Sequence, residues 1–410
     1  MEARSALVAQ DVASTMVAYR DALHTHQQAI NRLNVYPVPD GDTGTNMALT
    51  LDSVVAELGS LGEHAEMGEV CKAVAHGSLM GARGNSGVIL SQLLRGVAEQ
   101  FDGASRVGAA EVAEALVVAS DLARRAVVRP VEGTILTVAR AAGEGASRAR
   151  GAGGDLLSVV EAARKAAARA LEETPQLLEA LARAGVVDAG GCGYLLLLDA
   201  LLAVLDGRAL PEPAEGRGTE AGPAAAAGAG THAPARAMDG GADPATHLRY
   251  EVMYLLEAPE STIPAFKEVW AGLGDSIVVV GGDGLWNCHV HTDDIGAAVE
   301  AGLDAGRPRS IRVADLAEQV EEERWVREGA GAPLAEPEGP APTTGVVAVV
   351  SGEGIGRIFR SLGAHRQVPG GQSMNPSTAQ ILEAVDALGS EQVIVLPNNA
   401  NIRPVAEQVD

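Results

Sequence analysis

Aromatic residues make up only 3% of this 410-residue chain, so any core it builds must be aliphatic. With 49 glycines and abundant alanine, its helices must pack closely. Three cysteines, Cys71, Cys192 and Cys288, stand too far apart for a disulfide framework or a CxxC pair, which points to a reducing compartment. Basic residues are scarce: 31 Lys and Arg face 54 Asp and Glu, a net charge of −23. That argues against nucleic acid, whose backbone is held by clustered Lys and Arg, and against an acidic membrane surface. No run reaches the roughly 18 apolar residues of a membrane span, and the first residues lack a basic and then apolar leader. The expected location is the cytoplasm. A hydrophobic share of 47% is ample for packed cores, and this length suggests two or three domains.

What the sequence does have is one short loop, Pro37-Val-Pro-Asp-Gly-Asp-Thr-Gly-Thr-Asn46. Pro37, Pro39, Gly41 and Gly44 keep it out of helix and strand, so the carboxylates of Asp40 and Asp42 can turn toward one point. A hard divalent cation needs that arrangement. Magnesium takes one or two protein carboxylates plus phosphate oxygens, whereas calcium wants a dedicated oxygen cage. An EF-hand counted from Asp40 puts Thr45 at the glycine position and Leu51 at the bidentate Glu position, so the calcium loop fails. A tight surface turn has the same composition and stays open as the alternative. Asn46 then opens an amphipathic helix in which Met47, Leu51, Val54, Val55 and Leu58 form one apolar stripe. A helix N-terminus attracts anions, and carboxylates beside an anion require a bridging cation.

Residues 5 to about 205 read as helix after helix. A second glycine loop, Gly81-Ala-Arg-Gly-Asn-Ser-Gly87, precedes a helix carried by Val88, Leu90, Leu93, Leu94 and Val97. Ser86 is a good N-cap, and Gly84 and Gly87 let the backbone approach a ligand. No Lys-Ser/Thr pair follows, so this is not a Walker A loop, and a plain helix connection remains possible. Helices are expected at about 110–127, 134–147, 156–171 and 195–205. Gly133 and Thr134 form a third loop, and Asp188-Ala-Gly-Gly-Cys-Gly-Tyr194 a fourth. The four glycine-bearing loops suggest one ligand rim on a bundle, although any bundle has glycine-terminated helices. Cys192 reads as a small packed residue, since no cation stands near it to activate a thiolate.

The stretch 207–246, rich in Ala, Gly, Pro and Glu, reads as a disordered linker. Residues 247–328 read as a compact α+β unit with three strands and two helices. In its last strand His289 and His291 point to one face, and Cys288 and Val290 to the other. Two histidines can be metal ligands, but a zinc site needs three or four, and satisfied or exposed histidines are the alternative. Asp293 and Asp294 can be oxygen ligands or turn residues. A second linker, 329–343, precedes an α/β unit, 344–410, with strands at 346–350 and 392–396. So small a sheet suggests that the chain is part of a longer protein.

The run from Asn31 through Asn34 to Met47, with His76-Gly-Ser-Leu-Met-Gly-Ala-Arg-Gly-Asn-Ser-Gly87 and Asp188-Ala-Gly-Gly-Cys-Gly-Tyr194, resembles the dihydroxyacetone kinase L-subunit (DhaL) domain family. Within it the three-domain bacterial fatty acid kinase, the ATP-binding component that phosphorylates fatty acids held by a carrier protein, is most similar. Cys288-His-Val-His-Thr292 resembles its middle domain; Gly370-Gly-Gln-Ser-Met-Asn-Pro-Ser-Thr378 and Leu396-Pro-Asn-Asn399 resemble its C-terminal domain. The resemblance implies an all-α helical barrel over residues 1–206 with ATP and Mg²⁺ at its rim. Carried over by motif, Asp40 and Asp42 hold magnesium, with Asn34 a further contact, and Asn46 acts with them. Asn46 and the loop of Gly84, Asn85, Ser86 and Gly87 hold the phosphates, Thr43, Gly44 and Thr45 are further cofactor contacts, and Thr134, Asp188, Gly190 and Gly191 border the nucleotide. Where dihydroxyacetone kinases carry an acidic residue and a His around the paired aspartates, this chain has Asn34 and Thr43, which moves it toward the fatty acid kinase branch. That branch resembles a zinc site of one Cys and two His; here Met253 takes what we read as the Cys place beside His289 and His291. The implied activity is phosphorylation of a carrier-bound fatty acid, with a homodimer expected. One alternative is a dihydroxyacetone (glycerone) kinase subunit; the other is an ATP-sensing regulator without phosphotransfer.

Overall fold

The computed structural model describes residues 4–62, 64–213, 248–320, 342–351, 353–371, 376, 378–399, 402–407 and 409. Most of the two linker stretches, and part of the Gly370–Thr378 motif, lie outside these residues.

Among the described residues, nine helices form the first domain: α1 (Ala9–Leu33), α2 (Thr43–Gly59), α3 (Met67–Gly81), α4 (Gly84–Phe101), α5 (Ala109–Ala126), α6 (Ile135–Gly151), α7 (Leu156–Leu177), the short α8 (Glu179–Ala184) and α9 (Ala189–Asp206). Successive long helices pack side by side, and α9 returns to pack on both α7 and α1, closing a ring. Its core is aliphatic, as the composition requires: Leu23, Leu51, Leu90, Val138, Val159 and Leu202 are buried. Each such side chain contributes about 1.5–3 kcal/mol. Glycine sets the spacing at α4 against α5, where a Cβ on Gly96 would lie 2.5 Å from the Ala119 Cα. Tyr19 and Tyr194 are the buried aromatics between α1 and α9, and the Tyr19 hydroxyl donates to the Gly193 carbonyl at 3.1 Å. By length and hydropathy α9 could cross a membrane, contrary to the expectation that no run is long enough, yet 67% of it is buried in this ring. It is a core helix.

The second unit is an antiparallel sheet in the order β2-β3-β1-β4, built from β1 (Tyr250–Glu257), β2 (Gly274–Gly282), β3 (Leu285–Thr292) and β4 (Arg307–Asp315). Helices α10 (Ile263–Leu273) and α11 (Ile295–Ala305) cover one face around Tyr254, Phe266 and Trp270. The other face meets the helical ring. Met253, Val278 and Val280 pack with Leu79, Ala82 and Val88, and the Asn287 side chain donates to the Leu79 carbonyl at 3.2 Å. Val127 also bridges to Val278 on the sheet edge. Strand β4 escaped the sequence reading because Arg307-Pro-Arg-Ser-Ile-Arg is an exposed edge without apolar alternation.

The third unit is a parallel sheet in the order β6-β5-β7, from β5 (Thr344–Val350), β6 (Arg366–Pro369) and β7 (Gln392–Leu396). Helices α12 (Glu353–Ser361), α13 (Thr378–Asp386) and α14 (Arg403–Ala406) accompany it. Parallel strands linked by helices are the α/β pattern expected there, with one strand more than the sequence signalled. Four-residue β6 was too short to recognise.

Candidate functional site

A cavity of about 460 Å³ opens where the rim of the ring faces the second sheet. Its wall brings together Asn34, Asp40, Asp42, Thr43, Gly84, Asn85, Ser86, Thr134, Asp188 and Gly190 from the expected site, with Glu251 and His291 from the sheet. Thr45 and Gly191 lie behind that wall. Three of the loops read from the sequence turn out to be first turns of helices: Thr43, Gly44 and Thr45 lie in α2, Gly84 to Gly87 in α4, and Gly190 and Gly191 in α9. Thr134 is the N-cap residue of α6. Four helix N-termini therefore converge on one space.

Local hydrogen bonds fix the acidic loop. The Asn34 amide donates to Asp40 at 2.5 Å, and the Asn46 amide donates to Asp42 at 2.7 Å. Behind them, Thr45 Oγ1 accepts from Gln27 at 2.8 Å and from Asn31 at 3.0 Å. Three glycines are demanded by contact. Gly44 would place a Cβ 2.4 Å from the Gln27 carbonyl oxygen, and Gly84, at φ +54°, would place one 2.3 Å from the Asn46 amide nitrogen. A Cβ at Gly87 would meet Thr50 Oγ1 at 2.5 Å.

The electrostatics are those of a site short of positive charge. Burial raises Asp40 well above the usual carboxylate range, helped by the charges of Asp42 and Glu251. Asp42 is also raised by burial, though Asn46 and a hydrogen bond from Asp40 oppose the shift. Asp188 is pushed up to about 6 by burial, against the backbone N–H groups of Gly191, at 2.7 Å, and Ile135. Glu251 is pushed up to about 8, by burial and then by Asp42. Four carboxyls that resist ionisation around one cavity are what a divalent cation would relieve. The phosphate side also fits a ligand. Asn85 Oδ1 is buried without a hydrogen-bond partner beside the glycines that keep the α4 turn open.

The histidines behave as expected on geometry and differently on their partner. His289 and His291 share one face with ring centroids 5.0 Å apart, while Cys288 and Val290 pack into the opposite core. Their third companion is Glu251, not Met253: ligand atoms of Glu251, His289 and His291 all lie within 4.8 Å of one another. Met253 packs instead on Ala82 and Val88. His289 Nδ1 sits 3.4 Å from a Glu251 oxygen without hydrogen-bond geometry, and neither ring nitrogen has a hydrogen-bond partner. Burial holds His289 well below its usual range and His291 at about 4, so both stay neutral, the form that ligates a metal. Asp293 accepts from the Arg249 N–H, and Asp294 caps α11 through the Ala297 N–H at 2.9 Å; both are turn residues. Sequence reasoning missed Glu251, because only the fold brings strand β1 beside the Asp40 loop. Cys192 is packed in the ring, its thiol pushed up to about 11 by burial and nearby Asp188, in keeping with an inert side chain.

Comparison with known proteins agrees with this architecture. Residues 37–203 match the DAK2 domain. Residues 247–323 match the middle domain, and 345–410 the C-terminal domain, of the FakA-like fatty acid kinase family. Protein YloV of Bacillus subtilis is 35% identical over 402 residues, covering 97% of this chain and 71% of that protein. Uncharacterized protein SSP1546 of Staphylococcus saprophyticus is 35% identical over 388 residues, covering 94% and 69%. The chain is a member of the FakA-like fatty acid kinase family, with a DAK2 domain followed by that family's middle and C-terminal domains.

Proposed function

We propose that this chain is a cytoplasmic ATP-binding kinase subunit that transfers the γ-phosphoryl group of ATP to the carboxylate of a fatty acid held by a separate carrier protein, acting as a homodimer. The observation that carries the reading is the single cavity in which Asp40, Asp42, Asp188 and Glu251 face the Gly84-Asn85-Ser86 turn. In it, Asp40 and Asp42 hold Mg²⁺, steadied by Asn34 and Asn46. The ion supplies charge neutralisation on the phosphates. Backbone N–H groups at the starts of α2 and α4, with Thr43, Ser86 and Asn85, take the phosphate oxygens. Thr134, Asp188 and Gly190 border the nucleotide. An acceptor carboxylate is already ionised at neutral pH, so no general base is called for. The set Glu251, His289 and His291 suits zinc or a similar divalent ion, with two neutral imidazoles, one carboxylate and an open position.

The test is label transfer from γ-labelled ATP with magnesium to a fatty-acid-loaded carrier. The expected product is a hydroxylamine-labile acyl phosphate whose formation is lost in Asp40→Asn. Label passing only to dihydroxyacetone would make the chain a glycerone kinase subunit. No transfer despite tight ATP binding would make it a nucleotide sensor.

A further inference from the structure

Among the described residues that line the cavity, Asp40, Asp42, Asp188, Glu251 and Asp275 stand against one guanidinium, that of Arg129. A cavity meant for nucleotide phosphates would be expected to hold its only arginine firmly if that arginine were structural. It does not. The side chain is 61% exposed, and its nearest carboxylate oxygen, on Asp275, is 3.9 Å away. Its other tether is one 3.3 Å hydrogen bond to the Ala271 carbonyl. A single exposed ion pair at such a distance contributes little, so a more highly charged oxyanion in the cavity would compete for the guanidinium.

The backbone beneath the side chain is, by contrast, well fixed. Val128 donates to the Ile277 carbonyl at 3.1 Å and Val127 bridges to Val278, so the segment leading into Arg129 is stitched to the edge strand β2. On β2 the register slips between Asp275 and Val278, and Ser276 takes a left-handed conformation at φ +53° while its N–H donates to Asp275 at 2.7 Å. A β-bulge with a non-glycine residue at positive φ is a local cost that persists where it aims a side chain. Here it places Asp275 in the cavity wall opposite Arg129. A rigid base, a loose head and a weak resting partner suit an arginine that changes partners.

We infer that Arg129 is a catalytic residue for the proposed reaction: it leaves Asp275 and binds the phosphoryl group in flight, so that docking of the second domain through β2 positions the one guanidinium that the α5–α6 connection of the ring contributes to the cavity wall. This rests on the kinase reading above. In that step the bond from the γ-phosphorus to the β,γ-bridging oxygen breaks, its electron pair staying with ADP, and a bond to an acceptor carboxylate oxygen forms. Arg129 takes no proton; it neutralises charge spread over the equatorial oxygens.

The experiment compares full-length wild type with Arg129→Ala and Arg129→Lys. Calorimetric titration measures Mg·ADP affinity with and without tetrafluoroaluminate, a mimic of the transferring group. Wild type should bind Mg·ADP more tightly with the mimic, and Arg129→Ala should lose at least tenfold of that gain while its affinity for Mg·ADP alone changes by less than about threefold. Turnover should fall roughly a hundredfold to a thousandfold in Arg129→Ala, less in Arg129→Lys, and recover in part with added guanidinium. An Arg129→Ala protein that keeps the tetrafluoroaluminate gain overturns the inference even if the acceptor is a carboxylate. A wild type that binds the mimic no better than ADP alone overturns both the kinase reading and the role of Arg129.

Discussion

Replacing Glu251 by Gln should make the ligand-free protein more stable, and increasingly so as the pH rises. The Glu251 carboxyl moves from its usual 4.5 to about 8 on folding, because it is buried and faces Asp42. A raised pKa in the folded state means that stability is complete below pH 4.5, where both states hold the proton, and is lost as the unfolded chain ionises and the folded one does not. The loss runs from pH 4.5 to about 8 and then levels off. At 1.36 kcal/mol for each pH unit it amounts to about 3 kcal/mol at pH 7 and about 5 kcal/mol above pH 8. For a unit of this size that corresponds to roughly 10 °C in melting temperature. The two histidines act in the opposite sense: His291, lowered to about 4, and His289, also lowered by burial, cost stability as the pH falls below 6.5. Asp40, Asp42 and Asp188, also raised on folding, act in the same sense as Glu251, so in EDTA carboxyls and histidines oppose each other below pH 6.5, and above it only the carboxyl loss remains and the melting temperature should fall as the pH rises toward 8. Glu251→Gln keeps the shape and removes the charge, so the variant should lose less stability than wild type as the pH rises from 5 to 8, with the gap between the two widening over that range. Scanning calorimetry of both proteins from pH 5 to pH 9 decides it. Superimposable curves for the two would refute the electrostatic account of this cavity.

Other consequences follow from particular contacts. Gly84→Ala forces a side chain onto a φ of +54° and into the Asn46 amide, so ATP affinity should fall about tenfold or more by calorimetry while circular dichroism stays native. Zinc measured by elemental analysis should drop in Glu251→Gln and His291→Ala and persist in Met253→Ala, since Met253 is not part of the Glu251, His289 and His291 set. Burial pushes Cys192 up to about 11 and Cys71 up to about 12, so iodoacetamide at pH 7.5 should modify neither at a useful rate and should leave ATP binding intact, read by mass spectrometry.

Much of this fold could be read from residues because helical periodicity survives in an alanine-rich chain. The stripe of Met47, Leu51 and Val54 is buried as its spacing demands, and so are Val88, Leu90, Leu93 and Leu94. The helix starts were harder. Gly190 and Gly191 read as loop, since glycine disfavours helix, yet they lie in the first turn of α9, where Asp188 caps the Gly191 N–H and bulkier residues would strike Ile135 and Val138. Packing overrode propensity there. Within the ring, the site residues came from local motifs, and these are legible because one loop carries both the carboxylate and the turn that aims it. Glu251 and Arg129 were not legible. Nothing in Tyr250-Glu-Val-Met or in Val-Val-Arg-Pro130 marks a ligand, and each gains its meaning from a contact between domains that no spacing encodes. Met253 matches the Cys place by motif, but a step of two residues along one strand face exchanges a packing contact for a polar one.

The convergence of glycine loops follows from the topology of the ring. In a ring of helices joined by short connections, alternate helices start at the same end. Helices α1, α3, α5 and α7 run toward the cavity, and α2, α4, α6 and α9 start from it, with short α8 inserted in the last connection. Four N-termini then present the positive ends of their dipoles to one space. Those partial charges offset part of the cost of burying Asp40, Asp42 and Asp188 there, as the Gly191 and Ile135 N–H groups do for Asp188. They cannot offset all of it, since each of these carboxyls remains raised. The second domain then adds Glu251 and Asp275, two more acids, and closes the far wall with a sheet rather than with positive helix ends. An architecture that gathers donors for an anion and acids for a cation in one cavity is balanced only when both are bound together, which is the electrostatic argument behind the proposal of a metal-nucleotide complex over either alone.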